Sequence, residues 1–271
     1  MDIESVPGFT VRESGGVVVL VPDFFGRLGL SGGFSARRTK SGRSLDLDLR
    51  GDKDTSAILE NRRLVAEALH IEPRDLVIAE QVHGDVLAAV ADADRGRGAI
   101  TPVDTIPGVD GLITTSREVS LGALAADCAV VLIAAENTPA VALVHSGRKG
   151  TLANIASRAV DRLNAVGAPP QSLYAAIGPA IGGCCYEVGD DIAHDYESTF
   201  AWAGEVLKIV SGRAHLDIPA AIRRQLAIAG VRPEMIFGAG LCTVCKNDLF
   251  FSYRREGAAA GRNAGIISIN R

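Results

Sequence analysis

Three side chains able to ligate a soft metal stand in similar surroundings: His83 in "QVHG", Cys128 in "AADC" and His145 in "VHSG", each in or beside an apolar, strand-like run. Two imidazoles and a thiolate are a ligand set of catalytic zinc, in which three protein donors leave a fourth position open to water or substrate. Their separations match no zinc-finger spacing, and a single histidine among Val82, Val86 and Leu87 reads as readily as a packed core residue. A rival reading is nucleophilic, with Cys128 as thiolate, His145 as its base and Asp127 as an orienting acid, the logic of a Cys/His hydrolase. "CTVC" at 242–245 offers half of a structural zinc site, but Cys184 and Cys185 are adjacent where chelating cysteines are normally two residues apart. These four cysteines are therefore expected to hold neither a second metal nor a disulfide.

The elements around these residues follow from apolar periodicity and turn chemistry. "GVVVLVPD" predicts a strand, "SGGFSARRTKSGRS" a Gly- and Arg-rich connection, and "TSAILENRRLVAEALHI" an amphipathic helix behind a Thr/Ser N-cap. "DLVIAEQVHGDVLAAV" reads as one strand, which would carry His83. After a Gly/Pro/Asp-rich loop come "GLITT" and "SLGALAADCAVVLIAAE", the latter either strand or buried helix. "AVALVHSGRKGTLANIASRAVDRLNAVGA" predicts strand, Gly turn and helix, with His145 at the strand's carboxyl end, where α/β proteins gather their sites. "LYAAIGPAIGGCCYEVG" repeats strand and Gly/Pro loop, "PAAIRRQLAIAGV" is a helix, and "DLFFSYRREGAAAGRNAGIISINR" reads as strand, loop, strand.

The 271 residues, 47% hydrophobic and 22% charged, suit a substantial buried core, and no repeat or long linker divides them. With a net charge of -4 and interspersed signs, no basic patch invites nucleic acid. The acidic, polar "MDIESVPGFTVRESGG" lacks the basic start and apolar run of a secretory signal, and no apolar stretch is long enough to span a membrane. A cytoplasmic location is the expectation, and five cysteines, an odd count, do not make a disulfide framework.

The ordered series "GFSARR", "ENRR", "EQVHG", "DGLITT", "AADC", "VHSGRKG", "AIGPAIGGCCYEVG", "CTVC" and "FFSYRREGAAAGRNAGII" resembles the family long labelled multicopper polyphenol oxidoreductase (laccase-type), now associated with purine nucleoside phosphorylase activity. The resemblance runs from about residue 30 to the C-terminus. It implies a mixed α/β fold in one domain over residues 1–271, with stacked mixed β-sheets and helices outside. It also implies a zinc site formed by His83, Cys128 and His145, with copper as the alternative ion. Arg148 and Lys149 stand where the family commonly has tryptophan and arginine, and Ala129 where proline often follows the cysteine.

The activity so implied is phosphorolysis of adenosine, inosine and methylthioadenosine to free base and ribose 1-phosphate or methylthioribose 1-phosphate, with adenosine deamination at the same open metal position. Catalytic roles then fall to Cys128, Asp127 and His83, with Asp127 as general acid/base or as the group orienting a ligand histidine. Arginine matches phosphate oxygens best, which makes Arg62 the first phosphate candidate, followed by Arg37 and Arg148. Partners would be small-molecule nucleosides and phosphate, with the chain a monomer or weak homodimer. The alternatives are a copper polyphenol oxidase, disfavoured by a total of five histidines, and a factor editing peptidoglycan precursors.

Overall fold

The computed structural model describes residues 5–271. In chain order, β1 (Phe9–Ser14) and β2 (Val17–Pro22) form a hairpin, and the short α1 (Phe24–Leu28) leads into β3 (Leu30–Thr39). Then come α2 (Thr55–Ala68), β4 (Leu76–Ile78), β5 (Leu87–Ala89), β6 (Gly111–Thr114), β7 (Ser120–Ala125), β8 (Ala129–Ala135) and β9 (Val141–Ser146). The remainder is α3 (Arg148–Leu152), α4 (Ile155–Ala165), β10 (Leu173–Ile177), α5 (Asp190–Thr199), the ribbon β11 (Leu207–Val210) and β12 (Arg213–Leu216), α6 (Ile218–Ile228), β13 (Ile236–Gly238), α7 (Tyr253–Glu256) and β14 (Asn263–Ile269). Two six-stranded mixed sheets result, ordered β1-β2-β3-β14-β7-β4 and β13-β10-β8-β9-β6-β5. This is the mixed α/β single domain expected.

Alternation along the central strands explains the layers. In β8, Val130, Leu132 and Ala134 point to the core shared with the first sheet, while Ala129, Val131, Ile133 and Ala135 point to the core under α4 and α6. A strand buried on both faces reads as an unbroken apolar run, which is why "AVVLIAA" carried no alternation to separate strand from helix. The same two-sided burial recurs in β9 and β10. Among the described residues no helix is long and apolar enough to cross a membrane.

Several expected elements shift. The presumed connection "SGGFSARRTKSGRS" lies largely within β3, an interior strand paired with β2 and β14. Gly32 and Gly33 read as turn signals, yet they hold φ of +128° and +143°, and a Cβ on them would fall on the Ile266 and Leu20 carbonyl oxygens. The glycines mark close approach of neighbouring strands and no turn. Residues 75–90 form the two short strands β4 and β5 with an irregular loop between, so His83 lies in a loop and no strand carries it. The N-cap of α2 is Asp54, whose carboxylate accepts from the Ser56 and Ala57 N–H groups at 3.0 and 3.1 Å. No strand forms over residues 248–252; α7 follows there instead.

Gly32→Ala should lower stability by about 3 kcal/mol or more, since both backbone angle and space forbid the methyl. Gly42→Ala, at φ +91° with no atom near the added carbon, should cost only about 1 kcal/mol. Urea unfolding midpoints of the two variants would check the order.

Candidate metal centre and its cleft

The loop that carries His83 is shaped by one buried carboxylate. Gln81 and His83 both take the left-handed backbone region, with φ of 62° and 63°. Such kinks persist only where surroundings hold them. Here Asp110, fully buried just before β6, accepts the N–H groups of Val82 at 3.1 Å, His83 at 2.9 Å and Gly84 at 2.6 Å. The same carboxylate accepts from His145 Nδ1 at 2.8 Å, which leaves the lone pair of Nε2 free to ligate. One aspartate thus orients both histidines, one through its backbone and one through its ring.

Cys128 comes from the turn between β7 and β8, where Asp127 has φ of 88°. Since β8 pairs antiparallel with β9, the turn lies beside the end of β9 and delivers the thiol to His145. The ligating atoms of His83, Cys128 and His145 all lie within 4.8 Å of one another, and the two imidazole rings meet at 83° with centroids 5.0 Å apart. Gly147 closes the arrangement from below: a Cβ there would sit 2.7 Å from Cys128 Sγ. The donor set and this cradle suit a tetrahedral soft ion with one open position.

Electrostatics favour the ligating forms. Burial pushes the Cys128 thiol up, but the His145 charge and the hydrogen bonds from His145 and His83 outweigh it and bring the thiol down to about 6. Burial likewise disfavours the His145 imidazolium, but the Cys128 thiolate and Asp110 raise it to about 9. Without metal the two groups therefore form a thiolate–imidazolium pair between about pH 6 and 9.

These side chains open on a cleft of about 1010 Å³, walled by Arg148, Arg254 and Tyr186 on one side and by Arg50 and Lys53 on another. Arg254 lies over the Tyr186 ring at 5.1 Å from its centroid. Arg50 and Lys53 are paired with Asp48 and Asp46, at 2.8 Å in each case.

The other expected residues divide. Arg148 lines the cleft; Arg62 and Arg37 do not. The Arg62 guanidinium donates to the carbonyl oxygens of Leu47 (2.8 Å), Gly98 (2.6 Å) and Ala99 (2.7 Å), where it ties loops together. Arg37 is buried against Glu256 at 2.7 Å and lies over the Phe251 ring. Helix spacing and charge type could not show that both guanidinium groups already had partners. Asp127 lines the cleft, but its oxygens accept from Thr243 Oγ1 and from the Arg254 N–H, each at 2.6 Å, so it braces the site. The carboxylate that orients a ligand histidine is Asp110, whose only trace in the sequence is the "DGLITT" motif.

The remaining thiols converge more closely than the adjacency of Cys184 and Cys185 leads one to expect. Cys184, Cys185, Cys242 and Cys245 bring their sulfurs within 4.8 Å of one another, none in a disulfide. Adjacency of Cys184 and Cys185 does not prevent convergence, because the chain bends there, with the Cys185 and Tyr186 N–H groups both donating to the Gly182 carbonyl at 3.0 Å.

Asp110→Asn should weaken metal binding about 10- to 100-fold while preserving shape, as judged by competition with a chromogenic chelator. In metal-free protein, iodoacetamide labelling of Cys128, followed by peptide mass spectrometry, should rise through about pH 6, well below the ordinary thiol value, because the depressed group is thiolate above that point. Added zinc should suppress it.

Comparison with known proteins shows the family to which the chain belongs. Residues 26–270 match the family model described as multi-copper polyphenol oxidoreductase laccase. The chain is 36% identical over 234 residues to the purine nucleoside phosphorylase YlmD of Geobacillus stearothermophilus, covering 83% of each chain. It is 31% identical to the adenosine deaminase RL5 of an unknown prokaryotic organism, covering 85% of this chain and 88% of the relative. The crystal structure of the Geobacillus YlmD superposes with a TM-score of 0.89 at 33% identity, over 97% of this chain and 99% of that one. The protein therefore belongs to the multi-copper polyphenol oxidoreductase laccase family, and relatives it resembles are named purine nucleoside phosphorylase and adenosine deaminase.

Proposed function

We propose that the protein is a zinc-dependent purine nucleoside enzyme. It would phosphorolyse adenosine, inosine and methylthioadenosine to the free base and the corresponding sugar 1-phosphate, and would also deaminate adenosine. The observation that carries this reading is the convergence of His83, Cys128 and His145 at the floor of a cleft large enough for a nucleoside and lined by cationic side chains. The names of the relatives support it. When bound, zinc supplies Lewis-acid polarisation of a ligand in its open position and lowers the pKa of water there.

The chain's own groups do the rest. In phosphorolysis the bond between the sugar C1′ and the purine nitrogen breaks, its electron pair leaves with the base, and a phosphate oxygen bonds to C1′. Positive charge grows on the sugar as negative charge grows on the purine, so phosphate must be held close to the anomeric carbon. Arg148 and Arg254 face Tyr186 on one wall and present the guanidinium donors for phosphate. The Tyr186 phenol is raised above its ordinary value, chiefly by burial, so it stays protonated and can donate a hydrogen bond. Asp110 fixes the ring of His145, and Asp127 holds the Arg254 backbone and Thr243 in place. The laccase label would require a multicopper centre, and the three other histidines, His70, His194 and His215, do not line the cleft.

The test uses zinc-loaded protein and a nucleoside panel, with and without phosphate, resolving free base, sugar 1-phosphate and inosine. Cys128→Ala should abolish both reactions. Arg148→Ala should reduce phosphorolysis about 10- to 100-fold through the KM for phosphate, and deamination far less, since a charged hydrogen bond is lost only where phosphate is bound. Full activity in a folded Cys128 variant would overturn the zinc reading, and equal losses in the Arg148 variant would remove that residue from phosphate binding.

A further inference from the structure

The four-cysteine cluster lies outside the site just described, and two loops build it. The loop after β10 carries Cys184 and Cys185, and the loop after β13 carries Cys242 and Cys245. Parallel pairing of β10 with β13 sets these loops side by side, and it continues beyond the strands as a bridge between Ala180 and Cys242. The Thr243 N–H donates to the Ala180 carbonyl at 3.1 Å, and the Ala180 N–H to Leu241 at 3.2 Å.

The sulfur positions suit a shared metal better than a disulfide. Cys185 Sγ lies 3.4 Å and Cys184 Sγ 3.7 Å from Cys245 Sγ. A disulfide needs about 2.05 Å. Four thiolates about 2.3 Å from one tetrahedral ion stand about 3.8 Å apart, close to what these contacts show. The "CTVC" segment also folds as a chelating turn, with the Lys246 N–H donating to the Cys242 carbonyl at 2.9 Å and the Gly182 N–H to Cys242 Sγ at 3.4 Å. A backbone N–H aimed at sulfur stabilises a thiolate ligand.

We propose that Cys184, Cys185, Cys242 and Cys245 form a second, structural zinc site that clamps the loop after β10 to the loop after β13. Four soft donors complete the coordination shell, so this ion has no open position and takes no part in bond-making. Its effect on the cleft is positional. The first loop places Ile181 and Tyr186 on the cleft wall, and the second places Thr243 on Asp127, the neighbour of the ligand Cys128. The clamp thereby holds one wall of the cleft against the turn that bears the first metal's thiolate.

Zinc stoichiometry and ligand identity test this on full-length protein purified from zinc-supplemented growth. Elemental analysis should find two zinc ions per chain, falling to one in Cys128→Ala and to one in the Cys242→Ser/Cys245→Ser double variant. X-ray absorption of the one-zinc Cys128→Ala protein should show a shell of sulfur alone at about 2.3 Å. That measurement leaves the cluster intact and decides the matter even if the double variant does not fold. A single zinc in the wild type that disappears in Cys128→Ala would overturn the proposal. So would a nitrogen-containing shell in that variant, or a disulfide linking the two loops in zinc-replete protein.

Discussion

The Asp110 carboxylate is the interaction on which the arrangement of His83 and His145 depends. It is buried without a cationic side chain of the usual kind, and three backbone N–H groups and an imidazole satisfy it. A charge placed there would be costly if any of these partners were missing, so the loop 82–84 and the His145 ring are locked to each other. Burial opposes the charged carboxylate, but His145 and the loop N–H groups win and hold it below its ordinary range. The carboxylate in turn makes His145 more basic and a better ligand.

The kinked backbone of the site is tolerable because rigid sheets surround it. His83 and Asp127 are non-glycine residues in the left-handed region, each costing on the order of 1–3 kcal/mol in isolation. Asp127 is repaid by short hydrogen bonds to Thr243 and Arg254, and its turn is anchored between β7 and β8, one strand from each sheet. Strands buried on both faces have little freedom to shift, so the ends of β8 and β9 present Cys128 and His145 with fixed spacing.

Cations are distributed unequally around the cleft. Arg50 and Lys53 are balanced by Asp48 and Asp46, whereas Arg148 and Arg254 meet a neutral phenol at Tyr186. Arg148 and Arg254 thus have charge to offer an anion, and the Tyr186 beside them stands on the loop that carries Cys184 and Cys185. The turn that bears Cys128, the Arg254 segment and the cysteine cluster are mechanically linked, since Asp127 touches both Thr243 of one loop and Arg254 of the segment after it.

Much was legible in residue order alone. Apolar periodicity located α2, α4 and α6, and placed His145 at the end of its strand. The ordered motifs named His83, Cys128 and His145, which the fold brings together. Local pattern could not identify β3, because its glycines serve close strand approach and look like turn residues. It could not separate Arg148 from Arg62 and Arg37, because whether a guanidinium faces a cleft or three carbonyls depends on chain segments far away. Nor could it find the role of Asp110 or the meeting of Cys184 and Cys185 with Cys242 and Cys245. Sequence determines which segments must be buried and which side chains can do chemistry, since both are properties of a residue and its near neighbours. Which of those side chains meet is decided only by strand pairing and buried hydrogen bonds between distant segments, and these exist only once the sheets have formed.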